Sequence, residues 1–158
     1  MPRKQQTARK KQSEQQVSST TLECDSTEKL KSAITGQILT KEWLSYVAGY
    51  LDGEGCFVYD HSPTIQVASV FPYTLRLFAE SFGGTVKKRI PNDGIRKVYY
   101  DYRTFGDKTI DLIKLTLPYL HEKKQQAELI LLMRKANPGP ERDGMKAQLA
   151  AMKRIEYD

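Results

Sequence analysis

The chain has 158 residues, 39% of them hydrophobic, with 25 basic against 19 acidic side chains for a net charge of +6; the mean hydropathy is -0.57. That length suits one compact core, and no apolar run approaches the roughly 20 residues of a membrane span, which excludes an integral helical membrane protein. Two cysteines, Cys24 and Cys56, exclude a disulfide scaffold and a Cys-rich zinc module. The basic balance permits a polyanionic partner without demanding one. The Met1 end lacks an apolar signal stretch, so a reducing intracellular compartment is expected.

Residues 1–36 hold five Gln, seven basic and four acidic residues, and no aromatic precedes Trp43. Such a stretch buries too little surface to offset its ordering entropy and reads as a disordered tail. Its basic runs, Arg3-Lys4 and Arg9-Lys10-Lys11, could touch phosphate, although a solvated tail has the same composition. Residues 37–158 read as a single domain.

In chain order, Thr40 is placed to cap a helix over 41–52, with Leu44, Val47, Ala48 and Leu51 at helical spacing. Gly53 and Gly55 predict a tight turn across 52–55. Strands follow over 56–60 and 64–69, then a helix from Pro72 to Phe82 ended by Gly83-Gly84. Two more strands, 85–90 and 97–104, flank the turn-forming Pro91-Asn92-Asp93-Gly94. Helices are predicted over 107–117, 122–136 and 142–157. The order α-β-β-α-β-β-α-α, with the last helix as an appendix, predicts an α+β fold: a four-stranded antiparallel sheet with helices on one face.

That arrangement leaves the other sheet face open. Alternation places Thr85, Lys87 and Arg89 together, and Thr64, Gln66 and Ala68 together, while residues 83–103 carry six basic against two acidic residues. A strip of Thr, Gln, Lys and Arg suits base edges and phosphates. A plain solvated face gives the same pattern.

The most specific signal is Val47-Ala48-Gly49-Tyr50-Leu51-Asp52-Gly53-Glu54-Gly55. Gly49 in mid-helix costs about 1 kcal/mol relative to Ala, a cost offset when another backbone packs against it. Asp52 and Glu54 stand at a helix C-terminus, where the dipole disfavours negative charge. A hard divalent cation gives acids a reason to be there; an exposed glycine cap carrying acids is the bland reading.

Residues 47–55 resemble the signature of the LAGLIDADG homing endonucleases. Pro72–Gly84, ending in Phe-Gly-Gly, and Pro118–Ala127 resemble two further family segments, so the resemblance runs over roughly 38–136. It implies the αββαββα fold and metal-dependent, site-specific cleavage of double-stranded DNA with Mg²⁺. By position, it implies that Glu54 and the Gly53 carbonyl hold the metal, that Asp52 caps and tethers the helix pair, and that Lys123 serves the scissile phosphate, with Lys124 as rival. The family's water-ordering Gln has no clear counterpart; Ser69 is the nearest candidate, and Gln66 falls on the base-contacting side. Thr64, Gln66, Lys87 and Arg89 become DNA contacts. One motif copy implies a homodimer joined through Val47, Ala48, Gly49, Leu51 and Asp52. No intein splicing residues flank the domain, so an intron-encoded origin is expected. Two other readings stand beside this: a cleavage-deficient relative, either an RNA maturase or a DNA-binding regulator, and a small interaction protein acting through its tail.

Overall fold

The computed structural model describes residues 30–154. The basic runs and the expected disorder of 1–29 lie outside the described residues, as does the end of the helix predicted to reach Tyr157.

Two short strands, β1 (Leu30–Lys31) and β2 (Ile38–Leu39), form a hairpin ahead of α1 (Lys41–Glu54). Then come β3 (Gly55–Tyr59), β4 (Pro63–Ser69), α2 (Pro72–Phe82), β5 (Thr85–Arg89) and β6 (Tyr99–Phe105). The helices α3 (Asp107–Thr116), α4 (Lys124–Lys135) and α5 (Pro140–Met152) complete the chain, with a single 3₁₀ turn, Leu117–Tyr119, after α3. The four long strands form one antiparallel sheet in the order β3-β4-β6-β5. The predicted fold class is observed, and from α1 onward so is the element order; the β1–β2 hairpin was not predicted.

Register assigns the two sheet faces. Gly55, Val67, Tyr102 and Val86 lie side by side across the four strands, as do Phe57, Ile65 and Thr104 across three. These residues join the buried faces of the helices in one core that includes Leu44, Leu51, Phe78 and Ile130. The opposite face carries Cys56, Gln66, Arg103 and Thr85 in one row and Ala68, Asp101 and Lys87 in the next.

Local chemistry explains the joints. Thr40 accepts the Trp43 amide at 3.2 Å and caps α1 as predicted. Trp43 Nε1 donates to Ser81 Oγ at 2.9 Å and its ring meets Phe78 edge-on, which fixes α1 against α2. Gly84 has φ +97°, and a Cβ there would stand 2.6 Å from the Arg103 carbonyl, so only glycine turns α2 into β5 so tightly. Tyr102 Oη donates to the Gly83 carbonyl at 2.9 Å, and burial pushes this phenol well above its ordinary pKa.

The boundary expected at residue 36 falls too late. Ser32 is 1% exposed and donates to Asp111 Oδ2 at 2.6 Å, while the Ala33 amide donates to Oδ1 at 3.1 Å. The β1–β2 hairpin is thereby fastened to α3 and belongs to the domain. Among the described residues, no helix is long and apolar enough to cross a membrane.

Candidate active site and nucleic-acid interface

The predicted tight turn across 52–55 does not form. Helix α1 continues through Gly53 and Glu54, and Gly55 enters β3 with ordinary extended angles, φ -74° and ψ 136°. Glycine is required at 55 for space: an added Cβ would lie 2.6 Å from the Leu51 carbonyl oxygen and 3.0 Å from Leu51 Cα. The helix therefore feeds directly into the sheet, and Glu54 projects from the junction.

Glu54 is exposed, and its carboxylate has no hydrogen-bond or salt-bridge partner among the described residues. It lines a cavity of about 440 Å³ with Tyr50, Ala68, Ser69, Val70 and Tyr99. Ser69 thus lies in the same cavity as Glu54, but its hydroxyl accepts the Phe71 amide at 3.1 Å and helps end β4. That bond uses one lone pair and leaves the O–H and the second lone pair for a water.

Asp52 turns the other way. Its Oδ2 accepts the His121 amide and its Oδ1 the Lys123 amide, both at 2.9 Å. These donors belong to the bend that opens α4, so the carboxylate serves amide groups at a helix N-terminus of its own chain. Within the chain, Asp52 is thus a cap and clamp for the start of α4. Lys123 Nζ donates at 2.9 Å to the Leu51 carbonyl, which also accepts the Gly55 amide. Burial of the Lys123 amine holds its pKa below the ordinary value, against the opposing pull of Asp52 and, more weakly, of Cys56, Glu122 and Glu54. Lys123 lines a second cavity of about 340 Å³ with Gly53, Cys56, Glu122 and Gln126. Lys124, its rival, is exposed at the start of α4.

Glu54 and Lys123 therefore flank the α1–β3 junction from two sides. Gly53 is among the last four residues of α1, whose carbonyls have no acceptor role inside the helix. An exposed carboxylate beside free carbonyl oxygens is the donor chemistry that a hard divalent cation takes. Among the described residues, no three His, Cys, Asp or Glu side chains converge to hold a metal by themselves.

The interface residues need correction. Val47, Ala48 and Leu51 are 0% exposed and pack into the chain's own core, so they offer no surface to a partner. Gly49 is exposed, with Ser45 one turn before it and Gly53 one turn after it on the same helix face. A Cβ added at Gly49 or Gly53 would meet nothing within 4 Å. The bare stripe is thus Ser45-Gly49-Gly53, and the reading from sequence missed two of its three members.

Thr64, Gln66, Lys87 and Arg89 all stand on the open sheet face, as alternation indicated. Two residues there escaped notice. Arg103 stands beside Gln66 and Thr85, and Asp101 beside Lys87. Period-two alternation along β6 would have found both.

No protein-family model matches the chain, and no curated protein does. Solved structures do. The homing endonuclease I-CvuI, crystallised with its target in the presence of 2 mM Ca, is similar with a TM-score of 0.59 at 22% identity, over 72% of this chain and 83% of that one. The same enzyme with the I-CreI target and 2 mM Mg, its DNA not cleaved, gives 0.57 at 22% identity, over 73% and 84%. The archaeal intron-encoded homing endonuclease I-Vdi141I, complexed with DNA, gives 0.56 at 14% identity, over 72% and 86%. The fold of this chain is that of the LAGLIDADG-like homing endonucleases.

Proposed function

We propose that the chain is a site-specific DNA endonuclease that hydrolyses both strands of a long pseudopalindromic site as a homodimer, with Mg²⁺ or a similar divalent cation. The observation that carries this reading is the unpartnered Glu54 carboxylate at the α1–β3 junction, with Lys123 anchored on the other side of that junction and an open sheet face bearing Lys87, Arg89 and Arg103. The solved neighbours with this fold hold DNA, which supports the partner class.

Each residue has a task in that reading. The open sheet face lies in the major groove, where Thr64, Gln66, Lys87 and Arg89 meet bases and phosphates. The Ser45-Gly49-Gly53 stripe lets the α1 helices of two copies approach closely, bringing both Glu54 carboxylates to the two-fold axis. Glu54 and the Gly53 carbonyl would hold the cation, which would supply Lewis acidity when bound. One carboxylate per chain fits a site completed by the second copy and by phosphate oxygens. Lys123 keeps its ammonium aimed by the bond to Leu51 and stabilises charge developing at the scissile phosphate. Asp52 holds the α4 start so that Lys123 stays in place. The intron-encoded neighbour makes the same genetic setting the expectation here.

One competing reading is a relative that binds nucleic acid without cutting it, because a serine, Ser69, shares the Glu54 cavity where the family's water-ordering Gln would be expected. Incubation with a randomised duplex DNA library, with and without Mg²⁺, and in parallel with a structured RNA library, separates the readings. Recovered double-strand ends at a recurring sequence support the endonuclease. Sequence-selective binding without ends supports the binder, and capture of structured RNA alone supports the maturase.

A further inference from the structure

The open sheet face carries a feature that the reading above leaves unused: a carboxylate sunk among arginines. Asp101 stands on that face, directly across from Ala68 on one side and Lys87 on the other. No helix covers it, yet it is 2% exposed. Its cover consists of two guanidinium groups. Arg103 Nε donates to Asp101 Oδ2 at 2.8 Å, and Arg89 Nη2 reaches the same oxygen from the neighbouring strand at 3.3 Å. Both arginines remain substantially open, 39% and 41% exposed.

Burying a carboxylate is costly unless donors surround it. Here one oxygen takes both arginines, while Oδ1 is buried and accepts no hydrogen bond among the described residues. That is poor economy for an ion pair whose only role is stability. It is well suited to another purpose. Two long side chains normally lose much rotamer freedom when a ligand orders them, and a shared acceptor imposes that order in advance. Each guanidinium has five N–H donors in a rigid fork, and each donates one hydrogen bond to Asp101, so the others remain for a ligand above the sheet.

We propose that Asp101 is a positioning residue for sequence readout, holding Arg89 and Arg103 as one pre-oriented pair of forks for guanine edges. The carboxylate also cancels one of the two arginine charges. The pair then distinguishes bases more strongly than it attracts phosphate. This inference rests on the DNA-binding reading of the sheet.

Loss of the charge in Asp101→Asn has two opposite effects. The forks are released, which lowers discrimination among bases, and the face gains one net positive charge, which steepens the salt dependence. Simple destabilisation gives neither signature.

The wild-type chain first selects preferred duplexes from a randomised library. Binding to these duplexes, to their single-base variants and to unrelated duplex is then measured at two salt concentrations for wild type, Asp101→Asn, Arg89→Gln, Arg103→Gln and the double arginine variant. Asp101→Asn is expected to compress preference by on the order of tenfold at the positions the arginines read, with no loss on unrelated duplex. The two arginine substitutions are expected to be non-additive by about threefold or more, because they share one acceptor. Undiminished preference in a folded Asp101→Asn protein overturns the proposal. Should that variant not fold, additive arginine effects overturn it. A wild-type chain that selects no sequence removes the DNA reading itself, so the two failures are told apart at the first step.

Discussion

Replacing Asp52 by Ala tests whether this acid clamps its own chain. The carboxylate accepts two backbone amides, those of His121 and Lys123, both at 2.9 Å. Loss of a capping side chain costs about 0.5–2 kcal/mol, and a backbone amide deprived of its partner loses about 1 kcal/mol net. His121 is exposed, so water replaces much of its bond, whereas Lys123 is half-buried and recovers less. The sum is about 2 kcal/mol, or a fall in Tm of about 5–10 °C for a domain of this size. Asp52→Asn keeps one acceptor oxygen and is expected to lose about half as much, on the order of 1 kcal/mol. Urea unfolding at two protein concentrations supplies the assay. An intrachain clamp gives the same difference from wild type at both, while a contact across an interface gives a difference that grows with concentration. A second consequence follows from the Lys123 amide: duplex cleavage should fall more than duplex binding. Unchanged stability, or a loss confined to the dimer, would refute the assignment.

Gly55→Ala should destabilise by about 1–3 kcal/mol in thermal unfolding, because its methyl meets the Leu51 backbone although its dihedrals suit alanine. Gly49→Leu has open space within the chain, so its monomer should be as stable as wild type, yet sedimentation should show it monomeric on its DNA. A Gly49→Leu protein that still dimerises removes the α1 stripe from the interface. Lys123 carries a pKa below the ordinary 10.5, so the unfolded chain binds the extra proton and stability rises with pH through the window that ends at 10.5. If catalysis needs the cation, cleavage should decline along an alkaline limb that starts below 10.5, and Lys123→Arg should move that limb outward.

Much of the fold was legible because its signals are local. Apolar spacing placed every long helix, and Gly83-Gly84 and Pro72 marked real boundaries. What failed depended on distance or direction. A glycine pair predicts a turn, but composition does not distinguish positive φ from close approach, and Gly55 is the second kind. Ala48 and Gly49 are neighbours in sequence, yet successive residues on a helix point about 100° apart, so one is buried and the other open. The partnership of Ser32 with Asp111 spans 79 residues, and that of Lys123 with Leu51 spans 72; no local pattern reports either. Glu54 was marked by its place at a helix C-terminus as well as by family resemblance, Lys123 by resemblance alone, whereas the Asp101 pairing emerges only from strand register.

The central claim is that Glu54 would hold the divalent cation that DNA cleavage requires. Wild type and Glu54→Gln should be compared on a duplex selected by the wild-type chain, with binding and Mg²⁺-dependent double-strand cleavage measured separately. Loss of a metal's Lewis acidity is worth several kcal/mol, so the account predicts cleavage slowed by at least on the order of a hundredfold, with site affinity held within a few-fold. Cleavage by Glu54→Gln at the wild-type rate would contradict it.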